Sequence, residues 1–97
     1  MITGFADRAT EDVFRGLKSQ YARRVLPLVL WNIAAKKLDQ LNAAVLVGDM
    51  RVPFGNKLEK LTADRVGQFS IRINQQYRIC FRFSGGNASD VEIVDYH

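Results

Sequence analysis

The sequence predicts an α+β fold in a single domain covering residues 1–97. Three observations predict it. Apolar residues recur at helical spacing through the first half of the 97-residue chain. Apolar and polar residues alternate strictly across Gln68–Phe83, as in a hairpin. Between the two lies Val52–Asn56 (V-P-F-G-N), a turn-forming segment that ends the helical half. Composition agrees with a globular domain, at 47% hydrophobic and 25% charged with 7 Gly and 2 Pro, which excludes disordered and low-complexity classes. No apolar run approaches the ~20 residues of a membrane helix, and charges are mixed throughout Met1–Gly16, so neither a membrane nor a cleaved leader is expected. One cysteine, Cys80, and one histidine, His97, leave no internal disulfide and no zinc cluster. A reduced, cytoplasmic protein without metal or cofactor is the expectation.

The elements follow in order. Ile2–Phe5 reads as a short opening strand. Asp7 can cap the next helix by accepting from free N–H groups of its first turn. That helix is expected over Arg8–Leu17, with Thr10, Val13, Phe14 and Leu17 on one face. A polar, basic stretch, Lys18–Arg24, reads as a connector. Pro27 suits the first turn of a second helix. Its inner face carries Leu30, Trp31, Ala34, Ala35, Leu38, Leu41 and Asn42, and its outer face Lys36, Lys37 and Gln40. Strands fill the remainder, giving the order β-α-α-β-β-β-β.

The hairpin fixes its own register. Phe69, Ile71 and Ile73 alternate with Gln68, Ser70 and Arg72, while Tyr77, Ile79, Phe81 and Phe83 alternate with Arg78, Cys80 and Arg82. A two-residue loop would set Ile73 against Arg78. A three-residue loop, Asn74–Gln76, pairs apolar with apolar throughout and places Arg72 directly opposite Arg78. Like charges so placed repel. Either the two arginines splay into solvent, or they hold an anion, since guanidinium forks match phosphate oxygens.

The chain carries a net charge of +4. From position 51 to 82 the basic residues are Arg51, Lys57, Lys60, Arg65, Arg72, Arg78 and Arg82, against the acids Glu59 and Asp64. A basic stretch of this kind favours a polyanionic partner. The chain then ends Val94-Asp95-Tyr96-His97, an apolar strand running into acid–base side chains, the last of which titrates near neutrality.

Four segments together resemble the HigB family: RVPFGNKLEKL at 51–61, DRVGQFSIRIN at 64–74, YRICF at 77–81 and DVEIVDYH at 90–97. Ile2–Phe14 and the stretch 34–44 also fit. These are the "killer protein" toxins of type II toxin–antitoxin systems, within the RelE/ParE superfamily. The resemblance implies a RelE-like β-α-α-β-β-β(β) fold, with two N-terminal helices packed on a mainly antiparallel sheet. It implies a ribosome-dependent, metal-independent endonuclease that cuts A-site mRNA and so arrests translation and growth. The implied partners are a HigA-like helix-turn-helix antitoxin, the ribosome and mRNA, with operator DNA reached only through the antitoxin. The family's terminal Asp-Tyr-His falls on Asp95, Tyr96 and His97, and its strand arginine on Arg78. A lysine of many members falls on Thr62, and a histidine of some members on Glu59; both positions depart from the pattern.

Cleaving RNA at its own 2′-OH requires loss of that proton, stabilisation of the phosphorane and protonation of the leaving 5′-oxygen. His97 is assigned as acid or base, and Arg78 as the phosphorane clamp assisted by Arg72. Tyr96 can stack on a base or donate to phosphate. Asp95 can orient His97 or share its proton, and Glu59 is either a second base or a solvated strand carboxylate. Arg72, Lys57, Lys60 and Arg65 are assigned to RNA and ribosome binding. Two alternatives stand beside this one: a ParE-like inhibitor of gyrase, and a catalytically weak toxin serving mainly to bind its antitoxin.

Overall fold

Each strand pairs with its neighbour in sequence, so the sheet is a simple meander. In the computed structural model, which describes residues 1–96, three helices come first: α1 (Arg8–Arg15), α2 (Gln20–Val25) and α3 (Trp31–Ala43). Four strands follow: β1 (Glu59–Lys60), β2 (Phe69–Arg72), β3 (Tyr77–Ser84) and β4 (Asn87–Asp95). All pairs are antiparallel, in the order β1-β2-β3-β4. The α+β class predicted from sequence is the one observed.

Local chemistry sets the helix ends. The Asp7 carboxylate accepts from the Thr10 amide at 2.8 Å, capping α1 as expected. Gly16, at φ 75°, closes the helix in the left-handed region. Helix α1 therefore stops at Arg15, short of the expected Leu17, which lies exposed. The stretch read as a connector, Lys18–Arg24, instead contains α2. Ser19 caps it by accepting from the Ala22 amide at 3.1 Å, and Ala22 is wholly buried. The signals are local: a serine cap, and Ala22, Val25 and Leu26 at i, i+3, i+4 spacing turned onto the core. Pro27 precedes a single 3-10 turn, Leu28–Leu30, which leads into α3.

The opening strand is also corrected. Ile2 and Phe5 make isolated parallel bridges to Ala88 and Val91 of β4, without a continuous ladder between them. The reason lies in β4. Phe81 faces two residues, Asp90 and Val91, where the register shifts, and Asp90 sits at φ 51°. Such a bulge bends the strand between the two bridges.

The hairpin register is the predicted one: Phe69 faces Phe81, Ile71 faces Ile79, and Arg72 faces Arg78. One sheet face is apolar and receives the helices. Phe81 is fully buried at its centre, stacked on Phe69 at 6.1 Å and edge-on to Phe83 at 6.5 Å. From α3, Trp31, Ala34, Leu38 and Leu41 close over it. Thr10 of α1 locks the layers in register, its hydroxyl accepting from the Ile93 amide at 2.9 Å.

Between α3 and β1 the chain folds around Asn56, which is completely buried. Its amide nitrogen donates to the carbonyls of Met50 (3.1 Å) and Val52 (3.2 Å) and to Gln40 Oε1 (3.3 Å), while its oxygen accepts from the Lys37 ammonium. Burial lowers the pKa of that ammonium below the usual lysine range. Replacing Asn56 by alanine leaves several buried groups without partners, at ~1 kcal/mol or more each. The expected loss is about 2–4 kcal/mol of stability, read by urea unfolding through Trp31 fluorescence; an unchanged midpoint would contradict the central place given to Asn56.

Candidate functional site

The second sheet face, opposite the one that receives the helices, carries polar side chains. Alternation puts Ser70 and Arg72 of β2, and Arg78, Cys80 and Arg82 of β3, on this side. Opposite Ser70 on the edge strand stands Glu59, and opposite Arg78 on β4 stands Val94. Tyr96, two residues on, returns to the same face.

Arg78 is the centre of the arrangement. Its side chain is only 11% exposed, unusual for an arginine. One amino group donates to Glu59 Oε1 at 3.0 Å, and the guanidinium carbon lies 4.4 Å from the centroid of the Tyr96 ring. That contact is a cation–π stack. The Nε atoms of both Arg78 and Arg72 are buried without a hydrogen-bond partner among the described residues, as is Ser70 Oγ. Buried donors of this kind normally find partners, so the face is charged beyond its own needs. Of the two readings of the facing arginines, simple splaying into solvent does not describe Arg78. It is clamped between a carboxylate and an aromatic ring.

The flanking groups are satisfied differently. Arg65 donates to Gln68 Oε1 at 3.0 Å and Glu92 Oε1 at 3.2 Å, half-buried beside the same face. Cys80 is buried among Arg65, Glu92 and Arg78; burial pushes its thiol above the usual range, which makes it a neutral filler rather than a nucleophile. Arg82 pairs with Asp90 at 3.2 Å, with both side chains about half exposed. Among the described residues no group of three or more His, Cys, Asp or Glu side chains is placed to hold a metal ion.

Asp95 turns to the other side, opposite Tyr77. There the Gln76 side-chain amide donates to both of its oxygens, at 3.1 and 3.2 Å. The Gln76 carbonyl also accepts from the Tyr96 amide at 2.6 Å. Gln76 is in turn held by Asn74, whose side-chain oxygen accepts from the amides of Gln76 (2.9 Å) and Tyr77 (2.7 Å). The hairpin loop thus grips the end of β4 and sets Tyr96 against Arg78. Sequence reading treated Asn74–Gln76 only as a loop. The Asn two residues before Gln76 is a recognisable turn signal, but nothing local announces a tie to Asp95.

This chain matches a protein family described as the RelE-like toxin of the type II toxin–antitoxin system HigB, over residues 5–97. The chain belongs to the HigB-like toxin family. Toxin HigB-1 of Vibrio cholerae is 35% identical over 88 residues, covering 91% of this chain and 90% of that protein. Endoribonuclease HigB of Proteus vulgaris is 29% identical over 89 residues, covering 86% of this chain and 92% of its own. The fold is similar to a chain in the crystal structure of the YoeB–YefM toxin–antitoxin complex from Staphylococcus aureus, with a TM-score of 0.56 at 18% identity, across 100% of this chain and 95% of that one.

For a HigB-like toxin, the expected site residues fall into three groups. Arg78 contacts both Glu59 and Tyr96, with Arg72 directly opposite in register and Arg65 on the same face. Asp95 is adjacent in the chain but faces the hairpin loop, and His97 lies outside the described residues. Lys57 and Lys60 are not part of the cluster: Lys60 pairs with Phe69 on the other parity of β1, and Lys57 stacks on Phe54, its ammonium 3.9 Å from the ring centroid. Thr62 is exposed at the start of the 3-10 turn Ala63–Arg65 and supplies no charge there.

Proposed function

We propose that this HigB-like toxin is an endoribonuclease that cuts mRNA on the ribosome, with the Arg78 cluster as its phosphate-binding centre. One observation carries the reading. A nearly buried arginine is held on the polar sheet face, with a second arginine opposite it and a carboxylate and a phenol in contact with it. Such fixed positive charge stabilises a pentacoordinate phosphorane without reorganising during the reaction. Glu59 is more than half exposed and only 3.0 Å from Arg78, within reach of a ribose hydroxyl placed over the clamp. It serves as the base that takes the 2′-OH proton. His97 follows Tyr96 directly and serves as the acid that protonates the leaving 5′-oxygen. Tyr96 keeps Arg78 flat by stacking and offers its hydroxyl to phosphate. Asp95, fixed by Gln76, sets the direction of the chain end.

The partners follow from the same reading: ribosome and mRNA as the target, and a HigA-like antitoxin as the neutralising protein. A site built on a flat sheet holds a flexible strand poorly, and catalysis needs the strand aligned for in-line attack. The ribosome supplies that alignment. The test is cleavage of a defined mRNA in a reconstituted translation system and, in parallel, of the same mRNA alone. Cuts that appear only on translating ribosomes are expected. Equal cleavage of naked mRNA would point to a self-sufficient ribonuclease, and no cleavage in either would remove the nuclease reading.

A further inference from the structure

Away from the Arg78 cluster, the loop from Arg51 to Lys57 presents an aromatic side chain that the mechanism does not use. Phe54 is 81% exposed, and the Lys57 ammonium lies 3.9 Å from its ring centroid. Leaving a phenylalanine in water forfeits roughly 1.5–3 kcal/mol of burial. The loop is nevertheless built to hold it there. Asn56, buried beneath, binds Met50, Val52, Gln40 and Lys37, and Gln40 also donates to the Val52 carbonyl.

Hollows lie on both sides of this loop. One, of about 230 Å³, is lined by Ile33, Lys36, Lys37, Gln40 and Pro53. The other, of about 270 Å³, is lined by Arg51, Phe54, Lys57 and Leu58. Four of these lining residues are cationic and none is acidic. Carboxylates nearby in the chain are already engaged: Asp49 accepts from the Val45 and Leu46 amides, and Glu59 from Arg78. An exposed ring with Lys57 held over it and Arg51 lining the same hollow has the composition of a single-stranded nucleic-acid platform, where a base stacks on the ring and its phosphates meet the cations.

We infer that Phe54, with Lys57 and Arg51, forms an RNA-stacking platform separate from the Arg78 centre. It rests on the proposed RNA-directed function and extends it. Lys57 is two residues from Glu59, so their Cα atoms are no more than about 7 Å apart, and the platform adjoins the edge strand whose carboxylate meets Arg78. One RNA strand can engage both, with the platform fixing a base while the Arg78 centre holds the phosphate to be cut.

The experiment measures binding of a fluorescein-labelled, fully 2′-O-methylated single-stranded RNA dodecamer, which cannot be cleaved through its 2′-OH, by fluorescence anisotropy. Phe54→Ala should weaken binding about tenfold or more, Phe54→Leu nearly as much, and Phe54→Trp should restore it. The restoring variant should also show indole fluorescence quenched on binding. Lys57→Gln should flatten the dependence of log affinity on log salt by about 0.7, the value for one phosphate contact on a single strand. Equal affinity of Phe54→Ala and wild type, at matched thermal stability, would overturn the platform. So would a variant that binds RNA normally but loses its antitoxin, since the surface would then belong to a protein partner. Because the probe resists cleavage, a wild-type protein that binds it through Phe54 yet cuts no mRNA would sink the nuclease reading and leave the platform standing.

Discussion

Arg78→Ala is expected to lower mRNA cleavage on ribosomes by about 10²- to 10³-fold, the usual cost of removing one preorganised charge from a phosphoryl or acyl transition state. Arg78→Lys should recover only part of that loss. An ammonium cannot keep a planar stack on Tyr96 while donating to Glu59 at 3.0 Å and to a phosphate. Arg82→Ala is the matched control on the same strand and face. Arg82 pairs with Asp90, in a half-exposed contact of the kind that contributes little. Its cleavage should stay within about twofold of wild type. Thermal unfolding of all three variants separates chemistry from folding. Equal cleavage by Arg78→Ala and wild type, at matched stability, would reduce the cluster to a structural ion pair.

Deleting His97 is expected to cost about 10²- to 10⁴-fold in cleavage, the range for one general acid or base. The fold should not notice. The end of β4 is secured upstream, by Gln76 on Asp95 and by the Tyr96 amide on the Gln76 carbonyl, so the unfolding midpoint should stay where it is. His97→Gln, which keeps a polar side chain but cannot exchange a proton near neutrality, should match the deletion. Full activity in either soluble variant would pass the acid to Tyr96 or to water.

Much of this architecture was legible because it rests on neighbours in sequence. Asp7 and Gly16 mark the ends of α1 through their own side-chain and backbone preferences. The alternation of Phe69–Ile73 against Tyr77–Phe83 admits one register, and with it came the Arg72–Arg78 pair. What escaped the sequence depends on contacts far along the chain. Helix α2 is only six residues long, and the helical spacing of its inward residues Ala22, Val25 and the capping Leu26 is hidden among Lys18, Arg23 and Arg24. The bulge at Asp90, which interrupts the opening strand, follows from β4 serving both β3 and the N-terminal segment. Glu59 was identified, but its attachment to Arg78 was not, because a two-residue strand carries no alternation from which to read a face. The separation of Lys57 and Lys60 from the cluster has the same origin. Charge along the sequence sums them with the arginines, whereas the register and the Phe54 stack place them elsewhere.

The central claim is a chemical one: the 2′-OH of mRNA attacks its own phosphate while Arg78 holds the phosphorane. Its most direct test is the chemistry of the cut ends on translating ribosomes. Attack by the 2′-oxygen forms a new O–P bond as the 5′-oxygen leaves with a proton, so the upstream fragment must end in a 2′,3′-cyclic phosphate and the downstream one in a 5′-hydroxyl. Mass spectrometry of the fragments, with and without kinase and phosphatase treatment, reads both ends. Cyclic phosphate and 5′-hydroxyl ends that disappear with Arg78→Ala are the predicted result. Fragments bearing 5′-phosphates and free 3′-hydroxyls, or the same cuts undiminished in Arg78→Ala, would contradict it.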